Sequence, residues 1–351
     1  MTGGIEDFGC LLPHPAARVG RGAPYASGMP GSPLPPELRA WFDRRTFLAS
    51  PAPAEAAAAK RSAGVTVSVC LPALDEEETI RSICSTINAE LVGGCGLVDE
   101  LLVVDSGSTD ETRAEAESGG ATVVAAADVL RGIVPPPEVP GKGEVLWKSL
   151  AVARGDVVVW LDSDTRNFDS HFVTNLVAPL LADPSVLLCK GFYTRPLDQA
   201  SGGGGRVTEL AARPLLNLLF PELAGLVQPL SGEYAGRREA LASLPLFTGY
   251  AVEAGILIDL VTRFGLDTLA QADLGTRVHR NRDVTFLGRM ASEIAQAILA
   301  AAEDHGRLKS PDVLPDLLVQ FDQSGAAPEP SATRVRLQRR PPMETVVGGR
   351  A

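Results

Sequence analysis

Residues 65–90 read VTVSVCLPALDEEETIRSICSTINAE, and this stretch decides the fold class. Its first seven residues are rich in β-branched side chains, which favours a strand. From Glu76 onward, Ile80, Ile83 and Ile87 recur at the spacing of one helix face. The segment therefore predicts a strand followed by a helix, with a polar turn between them.

The same strand-then-helix unit recurs along the following residues. Strands are predicted at residues 101–104, 121–125 and 157–161, and helices at residues 111–117 and 142–154. This alternation predicts an α/β fold with a largely parallel sheet and helices on both faces. Because ligands of such sheets bind beyond the carboxyl ends of the strands, the polar residues after each strand are the candidates for chemistry.

Composition narrows the class of protein. The chain has 351 residues, 45% hydrophobic and 21% charged, which is typical of a globular protein. A formal charge of -11 argues against a nucleic-acid partner, because phosphate backbones are bound by clustered Lys and Arg. No apolar run is long enough to span a bilayer, the first residues are acidic, and the cysteines form no C-x-x-C pair, so we expect a cytoplasmic protein with reduced thiols.

Two carboxylates follow the apolar strand that ends at residue 161. In extended backbone, side chains two residues apart point to the same side, so Asp162 and Asp164 can face one ligand. A hard divalent cation prefers such oxygen ligands, and a nucleotide-sugar diphosphate needs a cation as it departs. Acids at a strand end also serve as helix caps, and that alternative stays open here.

Two stretches in this acidic chain suggest an anionic partner. Residues 277–282 read RVHRNR, which places three guanidiniums around His279. Residues 202–208 read GGGGRVT and lead into a helical pattern, so that backbone N–H groups, Arg206 and Thr208 could hold a phosphate or carboxylate. A solvated basic loop and a flexible linker are the alternative interpretations.

Three further residues are candidates for the site, and two of them, Lys142 and Glu253, also have an ordinary structural interpretation. Lys142 stands between two glycines at a predicted helix start, where it could contact a phosphate or be solvated. Tyr250 and Glu253 precede an apolar helix, where Glu253 could bind sugar hydroxyls or cap the helix.

Taken together, these segments resemble the actinobacterial glucosyl-3-phosphoglycerate synthases, retaining glycosyltransferases with a GT-A (Rossmann-like) fold. The resemblance covers about residues 65–290, and its glycine–arginine–threonine and HRNR blocks are quite specific. It rests on LPALDEEET (71–79), VDSGSTD (104–110), GKGE (141–144), DSD (162–164), GGGRVTEL (203–210), QPLSGEY (228–234), GY (249–250), RVHRNR (277–282) and RPPM (340–343).

The resemblance implies a UDP-glucose donor, a 3-phosphoglycerate acceptor, a Mg²⁺ (or Mn²⁺) cofactor and a homodimer. It implies a donor site made of Pro72, Ala73, Leu74, Glu76, Ser106, Lys142, Asp162 and Ser163. It implies Asp164 and His279 as metal ligands, and Gly205, Arg206 and Thr208 as acceptor ligands. Tyr250, Glu253, Arg277 and Asn281 are the implied catalytic residues around the sugar.

The chain is expected to divide into four segments. Residues 1–60, rich in Pro, Ala and Gly, are predicted to be a mostly disordered extension. Residues 61–195 would form the nucleotide-sugar-binding α/β half, and residues 196–305 the acceptor- and metal-binding half, which includes a long helix at 286–302. Residues 306–351 are expected to be a tail.

Three other functions remain open at this stage. Mannosyl transfer from GDP-mannose to the same acceptor would need a similar fold and acceptor site. A membrane-associated transferase acting on a polyprenyl phosphate is disfavoured, because no basic amphipathic helix is evident. A non-catalytic nucleotide-sugar-binding protein would not need acceptor ligands. One departure from the family is Asp75, where the resemblance leads us to expect Asn, and this puts donor affinity or base preference in doubt.

Overall fold

The alternation of strands and helices is present in the computed structural model, which describes residues 35–138, 141–194, 205–278, 283–308, 317–322, 329–334 and 338–347. The described strands are β1 (Thr46–Phe47), β2 (Val67–Ala73), β3 (Glu100–Asp105), β4 (Thr122–Ala125), β5 (Val157–Trp160), β6 (Leu188–Thr194), β7 (Tyr234–Arg237), β8 (Leu246–Phe247), β9 (Leu269–Thr276), β10 (Leu317–Asp322), β11 (Glu329–Arg334) and β12 (Arg339–Arg340).

The described helices cover the sheet and its ends. They are α1 (Pro36–Arg45), α2 (Pro53–Ala63), α3 (Ile80–Thr86), α4 (Thr112–Ser118), α5 (Lys142–Val152), α6 (His171–Ala182), α7 (Arg213–Leu219), α8 (Arg238–Ala242), α9 (Val252–Phe264), α10 (Val284–Asp304) and α11 (Met343–Val347). A π-helical segment, Ile87–Gly94, continues α3, and another, Thr208–Ala212, precedes α7. Short 3₁₀ turns occupy Pro221–Gly225 and Leu266–Thr268.

The main sheet is largely parallel, as the sequence predicted. Its strand order is β1-β9-β6-β7-β5-β2-β3-β4. β7 runs antiparallel to both β5 and β6, whereas the other neighbouring strands pair in parallel. The carboxyl ends of β2, β3 and β5 therefore meet at one edge of the sheet, which is where the polar motifs lie.

Helices bury both faces of this sheet. Along β5, Val157 and Val159 belong to the core cluster formed with α2, α3 and α6. The alternate residues, Val158 and Trp160, point to the other face, where the Trp160 indole donates a hydrogen bond of 2.8 Å to the Ser149 hydroxyl of α5. The three valines and the tryptophan of β5 are all fully buried. Because both faces of this strand are covered, its sequence is the continuous apolar run VVVW.

The structure corrects the prediction of a disordered extension for residues 36–60. This segment contains α1, β1 and most of α2, and β1 pairs in parallel with β9. Trp41 is 1% exposed, and its indole N–H lies 3.0 Å from the Leu266 carbonyl and 3.2 Å from the Leu269 carbonyl. Trp41 thus anchors to the core a segment that composition alone indicated to be disordered. Residues 1–34 lie outside the described part of the chain.

The predicted tail also needs correction for residues 338–347. β12 pairs antiparallel with β8, and Met343 at the start of α11 is 1% exposed. The residues from Pro36 onward group as one compact unit. The division into a donor half and an acceptor half at residue 195 therefore stays a prediction about function.

Replacing Trp41 with alanine is expected to lower the free energy of unfolding by about 3–5 kcal/mol, because it opens a cavity and removes the indole N–H that donates to the Leu266 and Leu269 carbonyls. Urea unfolding followed by circular dichroism measures this. Arg44→Ala is the matched control, since Arg44 forms an exposed ion pair with Asp267, and its loss should cost at most about 1 kcal/mol. Equal stability of W41A and the wild type would show that α1 does not anchor to the core.

Candidate active site

The polar turns at the carboxyl ends of the strands line a single cavity of about 490 Å³, within the usual range for small-molecule sites. Of the predicted site residues, those that the structure describes all line this cavity. They are Pro72, Ala73, Leu74, Glu76, Ser106, Lys142, Asp162, Ser163, Asp164, Gly205, Arg206, Thr208, Tyr250, Glu253 and Arg277. His279 and Asn281 lie outside the described residues, so the structure places neither.

Lys142 links two carboxylates that line the cavity. Its Nζ lies 2.5 Å from Asp162 Oδ1 and 2.8 Å from Glu253 Oε1. Burial opposes the charge of Lys142, but the two carboxylates outweigh it and hold the pKa of the ammonium well above its ordinary value. Lys142 therefore presents a permanent positive charge to a ligand in the cavity.

Arg277 connects the two carboxylates that follow β5. Its Nη2 lies 3.1 Å from Asp162 Oδ2 and 2.7 Å from Asp164 Oδ1, while its Nε and Nη1 donate to the Thr165 and Tyr193 hydroxyls. Asp162 and Asp164 thus face one cation, in agreement with their two-residue spacing. Burial opposes ionisation of Asp162, but Lys142 and Arg277 prevail and hold its pKa well below the usual range.

The local sequence explains why Lys142 can approach Glu253. A Cβ atom at Gly143 would lie 1.8 Å from the Phe247 carbonyl oxygen, so no other residue fits there without a backbone shift. The Gly143 N–H donates to the Gly249 carbonyl at 3.2 Å, and the Glu144 N–H donates to the Thr248 carbonyl at 2.9 Å. The G-K-G pattern therefore brings the first turn of α5 against the connection that leads into α9.

Another part of the cavity lining begins with a glycine whose conformation other residues rarely adopt. Gly205 has φ of +94°, and the chain is helical over residues 206–219 directly after it. Arg206 and Thr208 lie in the first turn and line the cavity. The N-terminus of a helix, with a guanidinium and a hydroxyl beside it, is suited to an anion.

The sequence did not predict the wall formed by α10. Phe286, Leu287 and Met290 line the cavity, and Phe286 packs edge-on against Tyr250 with ring centroids 5.4 Å apart. Glu293 accepts a hydrogen bond of 2.9 Å from the Tyr250 N–H. The helical period indicated α10, but nothing in the pattern indicated that its first turns would reach the site.

The sequence also did not predict that two buried charged residues, Glu233 and Lys190, lie close to the residues of the site. Glu233 is 1% exposed, and its Oε1 lies 3.0 Å from Arg277 Nε, although neither oxygen accepts a hydrogen bond from the described residues. Burial raises the pKa of Glu233 to about 7 and lowers that of Lys190 to about 7. Lys190 donates 2.6 Å to the Ser231 carbonyl. The available signal was a lysine within the strand β6 and a glutamate directly before β7.

Asp75 takes part in the structure of the turn after β2. It has φ of +54°, a left-handed conformation that Asp and Asn adopt more readily than most residues. Its Oδ1 accepts a 2.8 Å hydrogen bond from the Thr109 N–H, and its own N–H donates to the Ser108 hydroxyl. Asn could make both contacts, so having Asp75 instead of the expected Asn preserves the turn.

The chemistry of the site suits a hard divalent cation. Asp164 offers carboxylate oxygens at the cavity, where its side chain is 22% exposed. The described residues contain no group of three or more His, Cys, Asp or Glu placed to hold a metal. A cation here would therefore share its ligands with an oxygen-rich molecule in the cavity, which fits a diphosphate. None of the described helices is long and apolar enough to cross a bilayer.

Comparisons with known proteins agree with this site. The model of glycosyl transferase family 2 matches residues 68–241. A glucosyl-3-phosphoglycerate synthase of Mycolicibacterium smegmatis is 49% identical over 290 residues, which cover 81% of this chain and 91% of that protein.

Two crystal structures show the same architecture. One is glucosyl-3-phosphoglycerate synthase from Mycobacterium tuberculosis in complex with Mn²⁺, UDP-glucose and phosphoglyceric acid, with a TM-score of 0.74, 45% identity and coverage of 86% of this chain and 98% of that one. The other is mannosyl-3-phosphoglycerate synthase from Rubrobacter xylanophilus, with a TM-score of 0.81, 37% identity and coverage of 90% and 99%.

Proposed function

The chain belongs to the glucosyl-3-phosphoglycerate synthase family within glycosyl transferase family 2, and from that membership we propose that it transfers glucose from UDP-glucose to 3-phosphoglycerate with retention of configuration. The observation that supports this most directly is a cavity lined by cations from separate elements. Lys142 begins α5 and Arg277 follows β9, whereas Arg206 and Thr208 belong to the helix at 206–219. A reaction between a diphosphate donor and a phosphorylated acid needs cationic groups for each of the two substrates.

On the donor side, the residues stabilise a leaving group whose negative charge grows. Lys142 and Arg277 are held in place by carboxylates, so they require little reorganisation when the bond to UDP breaks. Asp164, with His279, would hold a Mg²⁺ or Mn²⁺ ion, which supplies further charge neutralisation at the diphosphate. The turns at Pro72–Glu76 and Ser106 would contact the uridine part of the donor.

On the acceptor side, Arg206 and Thr208 would bind the phosphate or carboxylate of 3-phosphoglycerate, with the positive end of the helix at residues 206–219 adding to the attraction. Gly205 lets the backbone N–H groups of that turn approach the anion closely. Asn281 completes this side in the proposal.

Given the retention that the family resemblance implies, the charges around the sugar favour attack on the same face. The Asp162 and Glu253 carboxylates are both paired with Lys142, which weakens each as a nucleophile. The acceptor hydroxyl then attacks the face from which UDP departs, and its proton passes to an oxygen of the leaving diphosphate. Tyr250 and Glu253 orient the glucose hydroxyls in this scheme.

One second candidate has a specific observation in its favour. The high structural similarity to mannosyl-3-phosphoglycerate synthase makes GDP-mannose the alternative donor. The higher sequence identity to glucosyl-3-phosphoglycerate synthases favours UDP-glucose. A non-catalytic nucleotide-sugar-binding protein would not need the cationic acceptor side.

The test is product formation by the purified protein with Mn²⁺ or Mg²⁺ and 3-phosphoglycerate, using UDP-glucose or GDP-mannose, each with and without chelator. Glucosylated product that disappears with chelator is the expected result. Mannosylated product alone would replace the donor in the proposal. Absence of product with both donors, despite tight UDP binding, would favour the binding-protein alternative.

Replacing Arg206 with methionine is expected to raise KM for 3-phosphoglycerate about 10- to 100-fold, because one charge-assisted contact to the acceptor is lost. KM for UDP-glucose should change by no more than about twofold. Arg213→Met is the matched control, since Arg213 lies on the same helix, pairs with Glu209 and does not line the cavity. An unchanged KM for the acceptor in R206M would remove Arg206 from the acceptor site.

Two finer points belong to the same proposal. We propose a cytoplasmic location, supported by the free thiols of Cys70, Cys84, Cys95 and Cys189, which are characteristic of a reducing compartment.

We also propose a homodimer. It is supported by an exposed apolar row on the helix at 206–219, where Leu210 and Leu218 are 80% and 78% exposed. Light scattering after size exclusion tests the dimer, and a monomer at micromolar concentration would exclude it.

A further inference from the structure

The segment at residues 338–343, which we call the C-terminal strap, lies beside the active site. Its strand β12 pairs with β8, where Arg340 is the partner of Leu246 and Arg339 that of Phe247. The Thr248 N–H donates 3.1 Å to the Gln338 carbonyl. The strap contains the RPPM motif, for which the proposed function has no role so far.

Arg340 reaches from the strap to α5. Its Nε and Nη2 lie 2.8 Å and 3.1 Å from the two oxygens of Glu144, and both side chains are at most 5% exposed. Its Nη2 also donates 3.0 Å to the Pro135 carbonyl. The Trp147 indole in turn donates 3.0 Å to the Pro341 carbonyl. This buried, two-point contact fixes the position of Glu144 relative to the strap.

Glu144 lies in the same helical turn as Lys142. Its backbone N–H donates to the Thr248 carbonyl, so this turn is held between the strap and the connection that carries Tyr250 and Glu253. Lys142 leaves the turn on the cavity side and reaches Asp162 and Glu253. The strap, the first turn of α5 and the ammonium of Lys142 therefore form one continuous set of contacts.

We propose that Arg340 is a positioning residue for glucosyl transfer: through Glu144 it fixes the first turn of α5 and keeps the Lys142 ammonium in place against the donor diphosphate. The proposal rests on the function proposed above. An error of about 1 Å in the position of a catalytic charge can cost about 100-fold in rate, so a contact outside the cavity can matter to turnover.

The first test compares Arg340→Met with Arg339→Met. Arg339 stands next to Arg340, and its Nη2 donates to both oxygens of Asp259 in α9, but it does not contact the Lys142 turn. R340M is expected to lose about 10- to 100-fold in kcat, with KM for 3-phosphoglycerate changed by no more than about twofold. R339M should keep kcat within about twofold, even if both variants lose thermal stability.

The second test asks whether Arg340 acts through Glu144. Glu144→Gln should also lower kcat. The double variant E144Q/R340M should have a kcat no lower than that of R340M alone, because both changes break the same contact. Losses that multiply in the double variant would overturn the proposal, as would a wild-type kcat in folded R340M. Arg340→Lys, which keeps the charge but not the fork, provides a milder variant should R340M fail to fold, and its kcat should be lowered by a smaller factor.

Calorimetric binding of UDP separates this proposal from the proposed function. If the wild type transfers glucose but R340M is equally active and binds UDP equally well, only the role of Arg340 is overturned. If the wild type neither turns over nor binds UDP, the proposed function fails, and the role of Arg340 fails with it.

Discussion

Replacing Asp164 with alanine is expected to lower kcat about 1000-fold and to abolish the response of turnover to Mg²⁺ or Mn²⁺. Asp164 offers carboxylate oxygens at the cavity, and its Oδ1 lies 2.7 Å from Arg277. Without it, the proposed cation loses an oxygen ligand, and the departing diphosphate loses charge stabilisation that acts mainly in the transition state. The measurement is kcat over a titration of Mn²⁺, together with calorimetric binding of Mn²⁺ in the presence of UDP.

Asp169→Ala is the matched control for this experiment. Asp169 follows in the same loop, and its side chain is exposed. Its Oδ1 lies 2.7 Å from Nδ1 of His171. D169A should keep kcat within about twofold and an unchanged Mn²⁺ response. If D164A kept both turnover and the metal response, Asp164 would not be a metal ligand.

Replacing Lys142 with methionine is expected to lower kcat about 100- to 1000-fold. The change removes the charge next to the donor diphosphate, and it also leaves Asp162 and Glu253 without the cation they share. Because Glu253 is only 5% exposed, the unpaired carboxylate should also lower the free energy of unfolding by about 3 kcal/mol. Steady-state kinetics and urea unfolding measure the two effects separately.

Lys60→Met controls for the loss of a buried lysine. Lys60 is 6% exposed, donates 2.9 Å to the Gly96 carbonyl and pairs with Asp99, and it does not line the cavity. K60M should lose stability while keeping kcat within about twofold. A K60M variant as inactive as K142M would show that the loss of any buried lysine abolishes turnover, and the direct role of Lys142 would then be wrong.

The sequence predicted four strands of the main sheet, β2 to β5, because each is a short apolar run bounded by turn residues, but it did not predict β1, β6, β7 or β9. The predicted strand at 157–161 corresponds to β5 (Val157–Trp160), and the predicted helix at 286–302 corresponds to α10 (Val284–Asp304). The DSD motif was also informative, since a two-residue spacing fixes the side to which both carboxylates point. These are local properties of the chain.

The prediction failed where low-complexity sequence is held in place by contacts with distant parts of the chain. Trp41 holds α1 to the carbonyls of Leu266 and Leu269, and Arg340 holds the strap to Glu144. Neither contact leaves a periodic pattern in its own segment, so composition suggested an extension and a tail. Glu233 and Lys190 were missed for the related reason that burial, which gives them their unusual pKa values, is not a local property.

By itself, the sequence determined the α/β class, the position of the polar turns and, through its resemblance to a known family, the candidate residues. These follow from periodicity and short-range geometry, which a few neighbouring residues specify. Only the tertiary structure decided that Lys142 stands between Asp162 and Glu253, that Arg277 reaches both Asp162 and Asp164, and that the C-terminal strap reaches α5. Those contacts join distant parts of the chain, and they depend on how the helices pack around the sheet.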